Sequence, residues 1–119
     1  MTNLLIVDDN SLILKLLADE FKDSNINVVT ASDGHEALMK VNEGNIDAIL
    51  LDLFMPNMDG LQFLENLNHN DSRINIMVMS GSSNPEIKTT LNKKGIHNIF
   101  LKPLSDDDFK SILSLLKSG

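Results

Sequence analysis

Ile49-Leu50-Leu51-Asp52 is an apolar run closed by a carboxylate, and it has three counterparts in the chain. Leu4-Leu5-Ile6-Val7 ends in Asp8 and Asp9, Ile76-Met77-Val78-Met79 in Ser80, and Ile99-Phe100-Leu101 in Lys102. The runs at 4–7, 49–51 and 76–79 are continuous rather than alternating, as expected of parallel strands covered on both faces. If all four runs are parallel strands of one sheet, their polar endings meet at one edge.

Outward from these runs, strands are expected near 4–7, 27–30, 47–51, 75–79 and 98–101. Helical spacing recurs between them: Ile13, Leu16, Leu17 and Phe21; Ala37, Leu38 and Val41; Leu61, Leu64 and Leu67; Phe109, Ile112, Leu113 and Leu116. The stretch 86–94 carries only Ile87 and Leu91 and gives the faintest helical signal. Asn84-Pro85-Glu86 supplies an N-cap and a proline at the first helical position. Ser105-Asp106-Asp107-Asp108 places a cap serine ahead of first-turn acids, which favour the helix dipole. Gly44 and Gly95 stand where the second and fourth helices should stop. Five βα units imply an α/β fold: an open parallel sheet with helices on both faces. Five strands suit the flavodoxin-like doubly wound order 2-1-3-4-5, whose sites lie at the carboxyl ends of the strands.

A chain of 119 residues suggests one domain, here 1–119, long enough to bury a core without staples. The absence of cysteine excludes disulfides and thiolate metal sites. No apolar stretch approaches the roughly 20 residues of a membrane helix. No basic segment precedes the first strand, so a signal peptide is not expected, and a cytoplasmic location is. The net charge of −7, from 17 acidic against 10 basic residues, disfavours direct binding of nucleic acid or an anionic membrane.

In the expected strand order Asp8 and Asp9 face Asp52 across a short gap, with Ser80 and Lys102 alongside. Carboxylates ~4 Å apart repel by about 4 kcal/mol per pair at an effective dielectric near 20. Such a cluster persists if one acid protonates or a cation binds. Hard oxygen donors suit Mg²⁺, which keeps several waters and also binds phosphate oxygens. Lys102 can meet a phosphoryl oxygen as a point charge. Ser80 offers a hydroxyl, and Gly81 an approachable backbone N–H. The set reads as a carboxylate nucleophile, a metal, and donors for a transferred phosphoryl group.

These residues carry a resemblance over essentially the whole chain. Val7-Asp8-Asp9-Asn10, Leu51-Asp52-Leu53-Phe54-Met55-Pro56-Asn57-Met58-Asp59-Gly60, Met79-Ser80-Gly81 and Leu101-Lys102-Pro103-Leu104 resemble, in order, the motifs of the response-regulator receiver domain of two-component signalling, as in chemotaxis response regulators. The resemblance implies that Asp52 is the phosphoacceptor, charged by a histidine kinase or a histidine phosphotransfer protein. It implies that Asp9, Asp52 and the backbone carbonyl of Phe54 ligate Mg²⁺, with Asp8 acting on the metal largely through water. Lys102 matches the lysine that pairs with the phosphoryl group, and Ser80 the switch hydroxyl. The Lys102-Pro103 bond is then a candidate for the cis form. Output is expected through the fourth helix, fifth strand and fifth helix, toward an output protein or effector domain that the sequence does not name. The chain stops at Gly119 just after the fifth helix, so no effector domain is expected: it is a stand-alone receiver or part of a larger regulator or hybrid kinase.

The individual residues also have plainer readings. Asp9 or Asn10 can simply cap the first helix. Ser80 alone is a turn serine and Lys102 alone a surface lysine; their joint placement favours function. Pro56 and Gly60 suggest loop geometry, and Met55 and Met58 a border to the site. His35, His69 and His97 share no close spacing and suit a solvated surface, and the six methionines suit core filling.

Four positions stand out against the family pattern. The switch position three before the lysine is often Tyr or Phe; here it is Ile99. Phe100 is next to it, but neighbouring strand residues face opposite sides. A modest output change, or one running through the backbone of 80–86, is therefore expected. Two residues past the acceptor and the switch hydroxyl stand Phe54 and Ser82, positions that influence dephosphorylation in this family. Phe54 does not orient an attacking water, so slow self-dephosphorylation is expected. Gly81 replaces the usual alanine.

Other functions fit less well. A haloacid-dehalogenase-like phosphatase needs a second Asp two residues beyond the nucleophile, where Phe54 stands. A flavodoxin-like electron carrier needs a hydroxyl- and glycine-rich phosphate loop, and Asp8-Asp9-Asn10 would repel phosphate. A degenerate receiver acting only as an interaction module is the alternative that the intact acid, hydroxyl and lysine set argues against. The reading is a signalling module, not an enzyme, apart from self-phosphorylation and self-dephosphorylation.

Overall fold

The computed structural model describes residues 2–22, 25–54, 60–67, 74–82 and 84–118. Strands β1 (Thr2–Val7), β2 (Ile26–Ala31), β3 (Ala48–Asp52), β4 (Asn75–Ser80) and β5 (Asn98–Leu101) alternate with α1 (Ser11–Phe21), α2 (Gly34–Asn42), α3 (Gly60–Asn66), α4 (Pro85–Lys93) and α5 (Asp106–Ser118). The strands form one parallel sheet in the order β2-β1-β3-β4-β5, as the run pattern predicts.

The continuous apolar runs split by parity into two cores. Leu4, Ile6, Leu50, Met77 and Met79 face α1 and α5, where Leu14, Leu17, Phe21, Ile112 and Leu116 are buried. Leu5, Val7, Ile49 and Leu51 face α2 and α3 over Ala37, Val41 and Phe63. A third cluster seats α4 through Leu91, with Leu53, Val78 and Ile96, and Ile99 packs against it. Phe100 packs on the opposite face, with the α1/α5 core. The strand alternation expected of Ile99 and Phe100 holds.

Sequence pattern and packing differ in detail. On α1 the buried stripe is Leu14, Leu17 and Phe21, spaced 3 and 4, while Leu16 is 57% exposed. Leu16 lies one residue, about 100°, off the centre of that stripe. On α3 Phe63 is fully buried, whereas Leu61, Leu64 and Leu67 pack only partly. β1 starts at Thr2 because Thr2 and Asn3 pair with Ile26 and Asn27, a register that apolarity cannot reveal. Met77 and Met79 fill core as expected, but Met39 is exposed. His35 and His97 lie on the surface. Met55, Pro56, Met58 and His69 lie outside the described residues.

The helix ends carry the expected chemistry. Asn10 Oδ1 accepts from Leu12 and Ile13 N–H at 3.0 and 3.2 Å, capping α1. Ser105 and Asp108 exchange hydrogen bonds at 3.1 and 2.9 Å, a reciprocal cap on α5. Gly44 and Gly95 have φ of 91° and 83°, the left-handed turn that ends α2 and α4. The weakly patterned α4 forms because Asn84 caps it, Pro85 opens it, and Leu91 anchors it.

Candidate functional site

Register brings the polar strand endings together. Val7 pairs with Leu51, so Asp8 and Asp52 emerge side by side, and Asp52 pairs with Met79, one residue before Ser80. Ser80 pairs with Leu101, one residue before Lys102. Backbone bonds continue past the strands: Leu53 N–H to Met79 carbonyl at 3.0 Å, and Lys102 N–H to Ser80 carbonyl at 2.9 Å. All four endings thus stand at the carboxyl edge of the sheet.

Asp8 is fully buried and Asp52 is 4% exposed, whereas Asp9 reaches solvent. One oxygen from each of the three lies within 4.8 Å of the others. Lys102 Nζ sits 2.9 Å from Asp8 Oδ2 and 3.3 Å from Asp52 Oδ2. The remaining oxygens are held by backbone: Asn10 N–H donates to Asp8 Oδ1 at 2.9 Å, and Phe54 N–H to Asp52 Oδ1 at 3.3 Å. The Phe54 side chain is exposed. The Lys102-Pro103 bond is cis.

Burial and the neighbouring Asp8 charge push the Asp52 carboxyl above its ordinary value, against the pull of Lys102 and the Phe54 N–H. Burial alone would lower Lys102. Its hydrogen bond to Asp8 and the charges of Asp52 and Asp8 outweigh that and raise it. Three carboxylates against one ammonium leave two formal negative charges on hard oxygen donors. That donor set fits a divalent hard cation that retains waters.

Ser80 is buried, and its hydroxyl is turned to its own loop. It accepts from Ser82 N–H at 3.1 Å and donates to the Ser82 carbonyl at 3.3 Å. Gly81 is exposed, and a Cβ there would meet nothing within 4 Å. At Gly60 a Cβ would stand 2.7 Å from Leu53 Cα, so this glycine lets α3 begin against the backbone that follows Asp52. Ile99 packs under α4 with Leu91 and Ile96. Asp8, Asp9, Asp52 and Lys102 thus converge, Ser80 stands at the same sheet edge, and Ile99 belongs to the apolar cluster under α4. The sequence gives no sign that Lys102 rests on Asp8, because the pairing depends on how two distant loops meet. The alternating Ser80, Ser82 and Asn84 is a signal that passes unnoticed as an ordinary polar turn.

The profile described as the response regulator receiver domain matches residues 4–114. The chain is 32% identical over 107 residues to the CAI-1 autoinducer sensor kinase/phosphatase CqsS of Vibrio cholerae, covering 87% of itself but only 16% of that protein. It is 33% identical over 108 residues to chemotaxis protein CheY of Listeria monocytogenes, covering 90% of itself and 91% of that protein. A chain of the CheX-CheY-BeF3-Mg²⁺ complex of Borrelia burgdorferi matches with a TM-score of 0.84 at 32% identity, over 98% of this chain and 87% of that one. Among the described residues no helix is long and apolar enough to cross a membrane. The chain belongs to the response regulator receiver domain family, the phosphorylation-controlled signalling modules of two-component systems.

Proposed function

We propose that Asp52 accepts a phosphoryl group from a phosphohistidine on a histidine kinase or histidine phosphotransfer protein, in the cytoplasm. The observation that carries this reading is a buried strand-end carboxylate placed between two further acids and one lysine. An Asp52 oxygen attacks phosphorus. The P–N bond breaks, its electron pair leaves with the imidazole, and solvent supplies the proton that the imidazole takes up. Lys102 turns from the carboxylates to a phosphoryl oxygen, and Ser80 donates its hydroxyl proton to another. Asp9, Asp52 and the Phe54 carbonyl would hold Mg²⁺, with Asp8 supporting it through water. When bound, the metal neutralises charge on the phosphoryl oxygens. The relative crystallised with BeF3 and Mg²⁺ supports this assignment.

The signal leaves through α4, β5 and α5. β5 pairs with β4 alone among the described strands, and Leu101 is 52% exposed there. The chain is a binding module whose surface answers to its acyl phosphate. Phosphoramidate, which presents a P–N bond like that of phosphohistidine, tests the chemistry. Phosphorylation should require Mg²⁺ and stop with EDTA. Labelling that persists in EDTA contradicts the reading.

A further inference from the structure

Three side chains from the last residue of β4 to the cap of α4 each accept a hydrogen bond from the backbone two residues ahead. Ser80 Oγ takes the Ser82 N–H at 3.1 Å, Ser82 Oγ the Asn84 N–H at 3.2 Å, and Asn84 Oδ1 the Glu86 N–H at 2.9 Å. The first rung begins on the buried hydroxyl at the end of β4, the strand paired with the one that Asp52 closes. The last ends inside the first turn of α4. Ser80 also donates to the Ser82 carbonyl at 3.3 Å, which closes a ring on that one residue.

A hydroxyl has a single proton to donate. Ser80 cannot keep the Ser82 carbonyl and also bond a phosphoryl oxygen on Asp52. Once it gives up the carbonyl, Ser82 is held to that hydroxyl by its N–H alone, so a moving Ser80 pulls on Ser82, whose own Oγ holds Asn84. An aromatic route is missing: Ile99, at the switch position, has no ring to swing and packs beneath α4 with Leu91, Ile96 and Val78. Thr89 and Thr90 bond back to the Pro85 and Glu86 carbonyls at 2.9 Å each, which ties the first turn of α4 to the rest of the helix.

We infer that Ser82 and Asn84 are positioning residues, and that the ladder Ser80–Ser82–Asn84–Glu86 carries the state of Asp52 to α4. The inference rests on Asp52 as the phosphoryl acceptor and adds the two rungs that link Ser80 to the output face. Both rungs lie outside the core, with Ser82 half-buried and Asn84 exposed, so they can be changed without cutting apolar packing.

Backbone amide NMR with saturating beryllofluoride and Mg²⁺ tests it. In the parent, the amides of Ser82, Asn84 and Glu86 should shift together with those of Ile87–Leu91. In Ser82→Ala the residue 82 amide should still respond, while the response from Glu86 to Leu91 falls below half. Ser82→Thr, which keeps the hydroxyl, should restore it. Asn84→Ala cuts the last rung separately and should give the same loss at α4, with the residue 84 amide still responding. A purely structural role would move the free-state spectrum and the melting temperature without reducing the response. An α4 response of parental size in both alanine variants overturns the ladder and leaves Asp52 as acceptor. A parent that shows no shift at all around Asp52 overturns both.

Discussion

Lys102 lies closer to Asp8, at 2.9 Å, than to Asp52, at 3.3 Å, so the cation facing the proposed acceptor is held by a second, fully buried acid. The lysine proposed to bind the phosphoryl group thus rests on Asp8. Lys102→Met leaves two buried carboxylates without a counter-charge. Removing one partner of a buried pair costs about 3–5 kcal/mol, and partial exposure of Lys102 brings the expected loss to about 2–3 kcal/mol. Urea unfolding at neutral pH measures it. Because Lys102 is raised above 10.5 in the folded state, its contribution is complete below 10.5 and fades as pH climbs through the higher folded value.

Asp52→Asn should have the opposite sign. The folded protein raises Asp52 above its ordinary 3.8, chiefly by burial and then by Asp8, so the ionised group costs stability. That cost is complete above the folded value and gone below 3.8. In EDTA the variant should therefore melt a few degrees above the parent near neutral pH, with the gap closing as pH falls toward 4. Melting curves across that range check it; a variant less stable at neutral pH counts against the electrostatic account.

Two glycines beside the site should behave differently. A Cβ on residue 60 would stand 2.7 Å from Leu53 Cα and 2.9 Å from its carbonyl oxygen, both backbone atoms. Gly60→Ala should cost about 1–3 kcal/mol by overpacking, and slow phosphorylation by shifting the turn after Asp52. Gly81 has open space and no left-handed φ. Gly81→Ala should be neutral or stabilising by about 0.4–1 kcal/mol through the unfolded chain. Thermal denaturation of the pair separates the two cases.

Phe54 gives Asp52 its N–H and turns an exposed ring to solvent. That ring has no group to orient a water on the acyl phosphate, whereas an amide has both donor and acceptor. Phe54→Asn should hydrolyse its acyl phosphate roughly tenfold faster, below the 10²–10⁴ of full general-base assistance. Decay of labelled phosphoprotein after donor removal gives the rate.

The sheet was legible because its strands are buried on both faces, and continuous runs such as Leu4–Val7 and Ile49–Leu51 have few other homes. Their polar endings followed from strand order, which placed Asp8, Asp9, Asp52, Ser80 and Lys102 at one edge. The exposure of Leu16 and the burial of Leu14 and Phe63 were not legible, since adjacent apolar residues on a helix differ only by rotation about its axis. The Lys102–Asp8 pair and the ladder through Ser82 and Asn84 depend on loop geometry, where a polar side chain has many equivalent partners. Only tertiary structure selects one.

The central claim is that Asp52 carries the phosphoryl group. Intact mass and peptide mapping after incubation with acetyl phosphate and Mg²⁺, for the parent and Asp52→Asn, test it most directly. A single Mg²⁺-dependent adduct, mapped to Asp52 and absent from the variant, is the predicted result. An adduct of equal yield in Asp52→Asn, or no adduct in the parent, would contradict it.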